Sequence, residues 1–227
     1  MTEPRGVIGQ TTESIGSDNQ FMGLRVMRDG SLSGVDWRQA KILQGKGFHV
    51  SVGALSTPIT GGGDGTVVDI DQPEAGISVP TGYAIMPIRI AVQCLTPLMA
   101  TDEDEAEILI AADTAAAWAA DGTVTTEVAW NMRTDAPYAT ACSCISACTA
   151  DLTDPTLGME LAHSILLGDM NGTPANAVWG KLDLLYEPLN APLIIGPAAI
   201  WIYWGGTVAV DGFAQIEWLE FATSDMT

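Results

Sequence analysis

The amino-acid sequence predicts an all-β protein, a sandwich or barrel, from three observations. About ten apolar runs alternate with period two or are rich in β-branched and aromatic residues, and turn chemistry separates them every 8–15 residues or so. Nowhere do strand-like and helix-like segments alternate as a parallel α/β sheet requires. The 227 residues include 24 glycines and 12 prolines, are 47% hydrophobic and only 16% charged, which supplies a sizeable core and many turns and argues against wholesale disorder. That length suits one large β-domain, or one with an arm.

Taken in order, residues 1–20 are polar and rich in glycine, serine and threonine, and read as an extended N-terminal arm ahead of a single domain over 21–227. "FMGLRVMRDG" (21–30) ends in Asp29–Gly30, a hairpin signal, and "GVDWRQAKIL" (34–43) follows, so 21–43 is predicted to be one β-hairpin. "GFHVSVGALSTPIT" (47–60) alternates up to a glycine run, and "GTVVDID" (65–71) reads as a short strand. "YAIMPIRIAVQCL" (83–95) is a long strand with Ile88, Ile90 and Val92 on one face and Arg89 and Gln93 on the other. "TDEDEAE" (101–107) reads as a solvated acidic loop leading into "ILIAADT", and "GTVTTEVAWNM" (122–132) as a further strand. "LGMELAHSILLGD" (157–169) fits a strand or a short helix; "NAVWGKLDLLYE" (176–187), "LIIGPAAIWIYWG" (193–205) and "TVAVDGFAQIEWLEF" (207–221) complete the series.

Charge narrows the function classes. Residues 1–46 hold six of the nine bases against five acids; the other 181 residues hold three bases against 23 acids, a net of −20. Such a body repels polyphosphate, so no direct nucleic-acid readout is expected, whereas the near-neutral N-terminal segment suits an acidic neighbour. "MTEPRGVIGQTTESIGSDNQ" lacks the apolar core of a secretory leader. The uncharged stretch 192–210 is long enough to span a bilayer, but Pro197, Gly205–Gly206 and the missing basic flanks make it a buried β-hairpin, and no membrane span is expected.

Candidate chemical sites yield structural readings. Cys142, Cys144 and Cys148 share parity, so on a strand they lie on one face with Ser146. Alternate positions are about 6.6–6.8 Å apart, the upper edge for a disulfide between Cys142 and Cys144. The C-x-C-x₃-C spacing has no turn knuckle and no nearby histidine, so zinc is not expected, and all four cysteines are predicted to be reduced and metal-free. His49, in an alternating run, reads as a satisfied sheet histidine, and His163 as unpartnered. Nucleophile-elbow, zincin and phosphate-loop motifs are absent from the sequence; "GGGDG" (61–65) reads as a turn, and "ADT" (112–114) lacks the following glycine of an aspartic-protease motif. No catalysis and no cofactor are expected. Asp69, Asp71 and Glu74, or the carboxylates of "DEDEAE", could bind Ca²⁺, but no complete EF-hand spacing exists and a solvated loop is the preferred reading.

Seven tryptophans remain. In "AIWIYWGG" (199–206), Ile200, Ile202 and Trp204 lie on one face and Trp201 and Tyr203 on the other. A strand apolar on both faces is either central in a sandwich or covered by another subunit.

"GLRVMRDGSLSGVDWRQAKILQGKGFHVSVG", "VPTGYAIMPIRIAVQ", "NMRTDAPY" and "GPAAIWIYWGG" are similar to stretches of virion-type proteins of environmental bacteriophages. More broadly, an N-terminal arm, eight or more strands and a strongly apolar last hairpin resemble jelly-roll capsid and capsid-associated proteins. The resemblance implies a two-sheet jelly-roll-like sandwich with an extended N-terminal arm, located in a virion and acting by repetitive self-association with copies of itself and other virion proteins. Arg5, Arg25 and Arg28 of the basic N-terminal segment, with Trp201 and Tyr203, are the expected subunit-interface residues. Small jelly-roll shell proteins commonly carry a strongly basic arm, but residues 1–20 contain only Arg5. That departure points away from genome contact and toward an outer-shell, decoration or spike-base role. The alternative is a β-sandwich binding module that recognises carbohydrate or a receptor, with Ca²⁺ as a possible aid.

Overall fold

A computed structural model describes residues 36–61, 68–95, 105–114, 124–135, 138–149, 152, 155–167, 182–207 and 209–226. The chain divides into two units, Met1–Ala40 and Lys41–Thr227. The expected arm over 1–20, the first half of the expected hairpin, and Arg5, Arg25 and Arg28 lie outside the described residues.

The second half of that hairpin is instead a helix, α1 (Trp37–Leu43). Asp36 caps its start: its side chain accepts the Arg38 N–H at 2.8 Å, and its carbonyl accepts the Ala40 N–H at 2.9 Å. Arg38, Gln39, Ala40, Lys41 and Leu43 are good helix formers, and this local preference overrides the strand pattern read across 34–43. Gly45, at φ 76°, ends the helix as a Schellman motif, with Gly45 N–H donating to Ile42 and Lys46 N–H to Lys41.

The thirteen strands that follow are β1 (Gly47–Val52), β2 (Ile59–Gly61), β3 (Ala75–Val79), β4 (Tyr83–Cys94), β5 (Glu105–Asp113), β6 (Thr125–Glu127), β7 (Trp130–Asn131), β8 (Ser143–Ser146), β9 (Leu157–Leu167), β10 (Asp183–Tyr186), β11 (Ile194–Ile195), β12 (Ala198–Gly206) and β13 (Val210–Ala222). A seven-stranded sheet runs β10-β4-β13-β1-β7, with β11 on β4 and β2 on β13; a six-stranded sheet runs β6-β8-β3-β12-β5-β9. The principal pairs are nested and antiparallel: β5 with β9, β4 with β10, β3 with β12, β1 with β13. This is a long hairpin, centred between β5 and β9, rolled into two facing sheets, the jelly-roll arrangement. The segment between β5 and β9 adds β8 and β6 beyond β3, and β7 beyond β1.

Nesting corrects the expected last hairpin. β11 joins the seven-stranded sheet, β12 lies between β3 and β5 in the other, and β13 returns to the first. Strands adjacent in sequence here fall in opposite sheets, so their partners come from the first half of the chain. Two smaller expectations also change, and one left open is decided. Residues 68–71 form no strand, because Asp69 turns the chain, its side chain accepting the Asp71 N–H at 3.0 Å. The strand expected over 122–132 is, in its described part (124–132), split into β6 and β7, in different sheets. Of the two readings left open for 157–169, residues 157–167 take the strand.

The inner faces make one core. Val50, Ile90, Val92, Ile216 and Trp218 of the seven-stranded sheet meet Ile77, Ile108, Ile110, Ile200, Ile202 and Trp204 of the other. Burying each such aliphatic side chain contributes about 1.5–3 kcal/mol. Ile88 does not share this face as expected. Glu217 pairs with Arg89 and Trp218 with Pro87, so Ile88 is the extra residue of a β-bulge. No helix among the described residues is long and apolar enough to cross a membrane.

Candidate interaction surfaces

The two sheets treat their outer faces differently. On the seven-stranded sheet, Arg89 Nη1 lies 3.2 Å from Glu217 and 3.4 Å from Gln215, and His49 Nε2 lies 3.0 Å from Ser51 Oγ. These central outward positions are polar, and His49 is the satisfied sheet histidine that its pattern predicts. On the six-stranded sheet, β12 is buried along its whole length. Trp201 and Tyr203, expected at a subunit interface, are 0% exposed. They sit in a second core with Val68, Ile145, Cys148, Leu152 and Ala199, so the chain itself covers this face. Both polar tips are satisfied: Trp201 Nε1–H donates to Asp113 at 3.1 Å, and Tyr203 O–H to the Ile70 carbonyl at 2.9 Å. Asp113, the aspartate of "ADT", is thus a buried hydrogen-bond acceptor.

The cysteines divide between the cores. Cys142 and Cys144 face the main core, but Cys148 lies in the second. The shared face fails at Ala147, whose φ of 49° breaks the alternation just after β8. All four thiols are free and buried. Burial pushes Cys94 and Cys144 up to about 12, assisted by the charges of Glu74 and Asp183 for the first and Glu220 and Glu127 for the second. Cys142 is raised by the same burial, then by Glu220. Among the described residues, no three His, Cys, Asp or Glu side chains are placed to hold a metal ion.

His163 is partnered, contrary to expectation. Its Nε2 lies 2.6 Å from Glu107, and its Nδ1 4.0 Å from Glu160. Glu107 belongs to β5 rather than to a solvated loop; it is buried and its other oxygen accepts the Val68 N–H at 2.9 Å. Such pairing is invisible in sequence, because the two residues meet only through the β5–β9 ladder. Two of the carboxylates weighed as Ca²⁺ ligands serve the backbone. Asp69 makes its turn, and buried Glu74 accepts the Trp204 N–H at 2.9 Å.

At one end of the sandwich, two adjoining hollows share Tyr138 and Ala139. The first, about 450 Å³, is lined by Lys46, Phe48, Tyr83, Tyr138, Glu220 and Phe221 among others. The second, about 640 Å³, runs along Val128, Trp130, Arg133 and Tyr138. Trp130 and Tyr138 are 68% and 59% exposed. The polar groups beside them are engaged locally. Arg133 forks onto Asp135 at 2.7 and 3.1 Å and donates to the Leu43 carbonyl, while Asn131 donates to Gly45. The Arg133 hydrogen bond holds Asp135 below the usual carboxylate range. Glu220 forms part of the first hollow, accepting from the Thr140 hydroxyl and from the Ala141 N–H at 3.0 Å. Sequence reading assigned no role to Trp130, Tyr138, Tyr83 or Glu220. The turn-rich "NMRTDAPY", ending in a tyrosine, was the available signal.

A further exposed apolar series lies beside the outer strand of the seven-stranded sheet. Leu185 of β10, Leu189, Leu193 and Ile195 of β11 all project into solvent, Leu189 at 94% exposure. No family model, no curated protein and no solved structure matches this chain.

Proposed function

We propose that the protein is a virion structural subunit, a capsid or capsid-decoration component that works by repetitive self-association and not by catalysis. The nested strand order is that of shell jelly rolls, a fold-level analogy. The observation that carries the reading is the apolar series Leu185, Leu189, Leu193 and Ile195 along one sheet edge of a body otherwise so acidic. Exposed apolar side chains strung along a sheet edge mark a contact surface. Copies that repel one another through like charge associate more readily when salt screens them.

Light scattering and negative-stain imaging at low and high salt, with and without Ca²⁺, test this. The full chain is expected to form particles that grow with ionic strength. A Leu189→Asp, Leu193→Asp double variant is expected to stay monomeric, and deletion of residues 1–20 to weaken assembly. A full chain monomeric in every condition overturns the shell reading. The groove at Trp130 and Tyr138 favours a second reading, a binding module for carbohydrate or a receptor, which a monomer that binds immobilised glycans would establish.

A further inference from the structure

We propose that the hollow over Glu220 is a binding site for an alkylammonium group. Glu220 is only 7% exposed, and its hydrogen-bond donors are all neutral: the Thr140 hydroxyl, the Ala141 amide and the Cys142 thiol. Among the described residues, none of the ion pairs involves it. A buried carboxylate is ordinarily matched by a cation, and a carboxylate, with about four lone-pair positions, retains an acceptor position after three hydrogen bonds. Lys46 lines the same hollow, but its ammonium lies 3.1 Å from Asp225, and its backbone carbonyl accepts the Glu220 N–H at 2.9 Å.

The walls suit the same ligand. Phe48, Tyr83, Tyr138 and Phe221 border the hollow, and aromatic faces attract ammonium groups through the ring quadrupole. Phe48 is held by stacking on Trp218, with centroids 5.9 Å apart, so this wall is formed before any ligand arrives. The volume, about 450 Å³, lies within the range of small-ligand pockets. Charge excludes the competitors. Anions are repelled by a chain of net charge −19, and a neutral apolar ligand would strip solvent from Glu220 with nothing in return. The site does not depend on the self-association reading: it is complete within one chain.

The test uses three probes on the full chain: choline, Nα-acetyl-lysine methylamide, and 3,3-dimethylbutan-1-ol, the neutral isostere of choline. Calorimetry and ligand-observed NMR are run on the assembling chain and on the Leu189→Asp, Leu193→Asp variant, so that loss of assembly is not read as loss of binding. One or both cations are expected to bind and the alcohol not to. The tighter cation tells a quaternary ammonium from a lysine side chain as the natural occupant. Glu220→Gln is expected to weaken cation binding about tenfold or more, and Tyr138→Ala severalfold. Binding of the alcohol as tightly as choline, failure of both cations at millimolar concentration, or undiminished binding by Glu220→Gln overturns the proposal. Should Glu220→Gln not fold, Tyr138→Ala decides: Tyr138 is largely exposed, and its variant must lose cation affinity without gaining affinity for the alcohol.

Discussion

The outer faces of the two sheets belong to one rolled hairpin yet have opposite fates. On β13, the outward positions carry Gln215 and Glu217, and Glu217 pairs with Arg89 at the surface. On β12, the corresponding positions carry Trp201 and Tyr203, wholly buried. The cover over β12 comes from connections, not from strands. Val68 and Leu152 pack onto it, and backbone hydrogen bonds from Leu152 to Asp71 at 2.7 Å and from Ala147 to Glu74 at 3.0 Å tie the covering segments together. Alternation along a strand thus reveals whether a face demands cover, and connection length supplies it. On the seven-stranded sheet the polar Gln215 and Glu217 demand none, whereas Leu185 and Ile195 at its edge stay exposed.

The sharpest way to break this comparison is truncation on each face. Trp201→Ala is expected to cost about 3–5 kcal/mol in urea unfolding, because it opens a cavity and removes the indole donor from buried Asp113. Gln215→Ala, at the matching outward place on β13, is expected to change stability by no more than about 0.5 kcal/mol. Equal losses would mean that the two faces are not differently covered.

Next in size is alkaline sensitivity. The thiols of Cys94 and Cys144 have an ordinary value of 9.0 and are raised by burial to about 12 in the folded chain. Between those values the unfolded chain releases protons that the folded chain retains. Their stabilising contribution is thus full below about pH 9 and is lost as pH rises toward about 12. Urea midpoints are expected to fall between about pH 8 and about pH 10, and a thiol reagent at neutral pH to find four reactive thiols only after denaturation.

Gly76 sharpens the comparison on the covered face. It pairs directly with Trp201, and an added Cβ would overlap the indole ring. Gly76→Ala is therefore expected to cost roughly 1–3 kcal/mol, with near-ultraviolet circular dichroism reporting the displaced tryptophan. Smallest is Glu217→Gln, which removes the Arg89 ion pair on the polar face. The expected loss is under about 1 kcal/mol and shrinks further at high salt.

Much of the sandwich was legible because its signals are local. β4, β12 and β13 were read from apolar runs whose core residues, such as Ile90, Ile202 and Ile216, proved to face inward. The misreadings share a different cause. Cys148 left its predicted face because one residue, Ala147, adopted a left-handed backbone. The hairpin read over 192–210 became a passage between sheets because period-two patterning says which way a side chain points but not which strand lies alongside. The hollow at Glu220 could not be read at all, since Phe48, Tyr83, Tyr138 and Glu220 are far apart in the chain.

The sequence by itself determined the class, all-β with apolar-faced strands, and the acidity of the body. Each of these follows from composition or from the period of two that a pleated backbone imposes on neighbouring side chains. Only the tertiary structure decided that Trp201 and Tyr203 are covered from within, that His163 meets Glu107, and that four aromatics and a buried carboxylate line one hollow. Those outcomes depend on which segments the rolled hairpin brings together from opposite ends of the chain, and strand pairing across such separations is set by closure of the whole sheet, not by any local stretch.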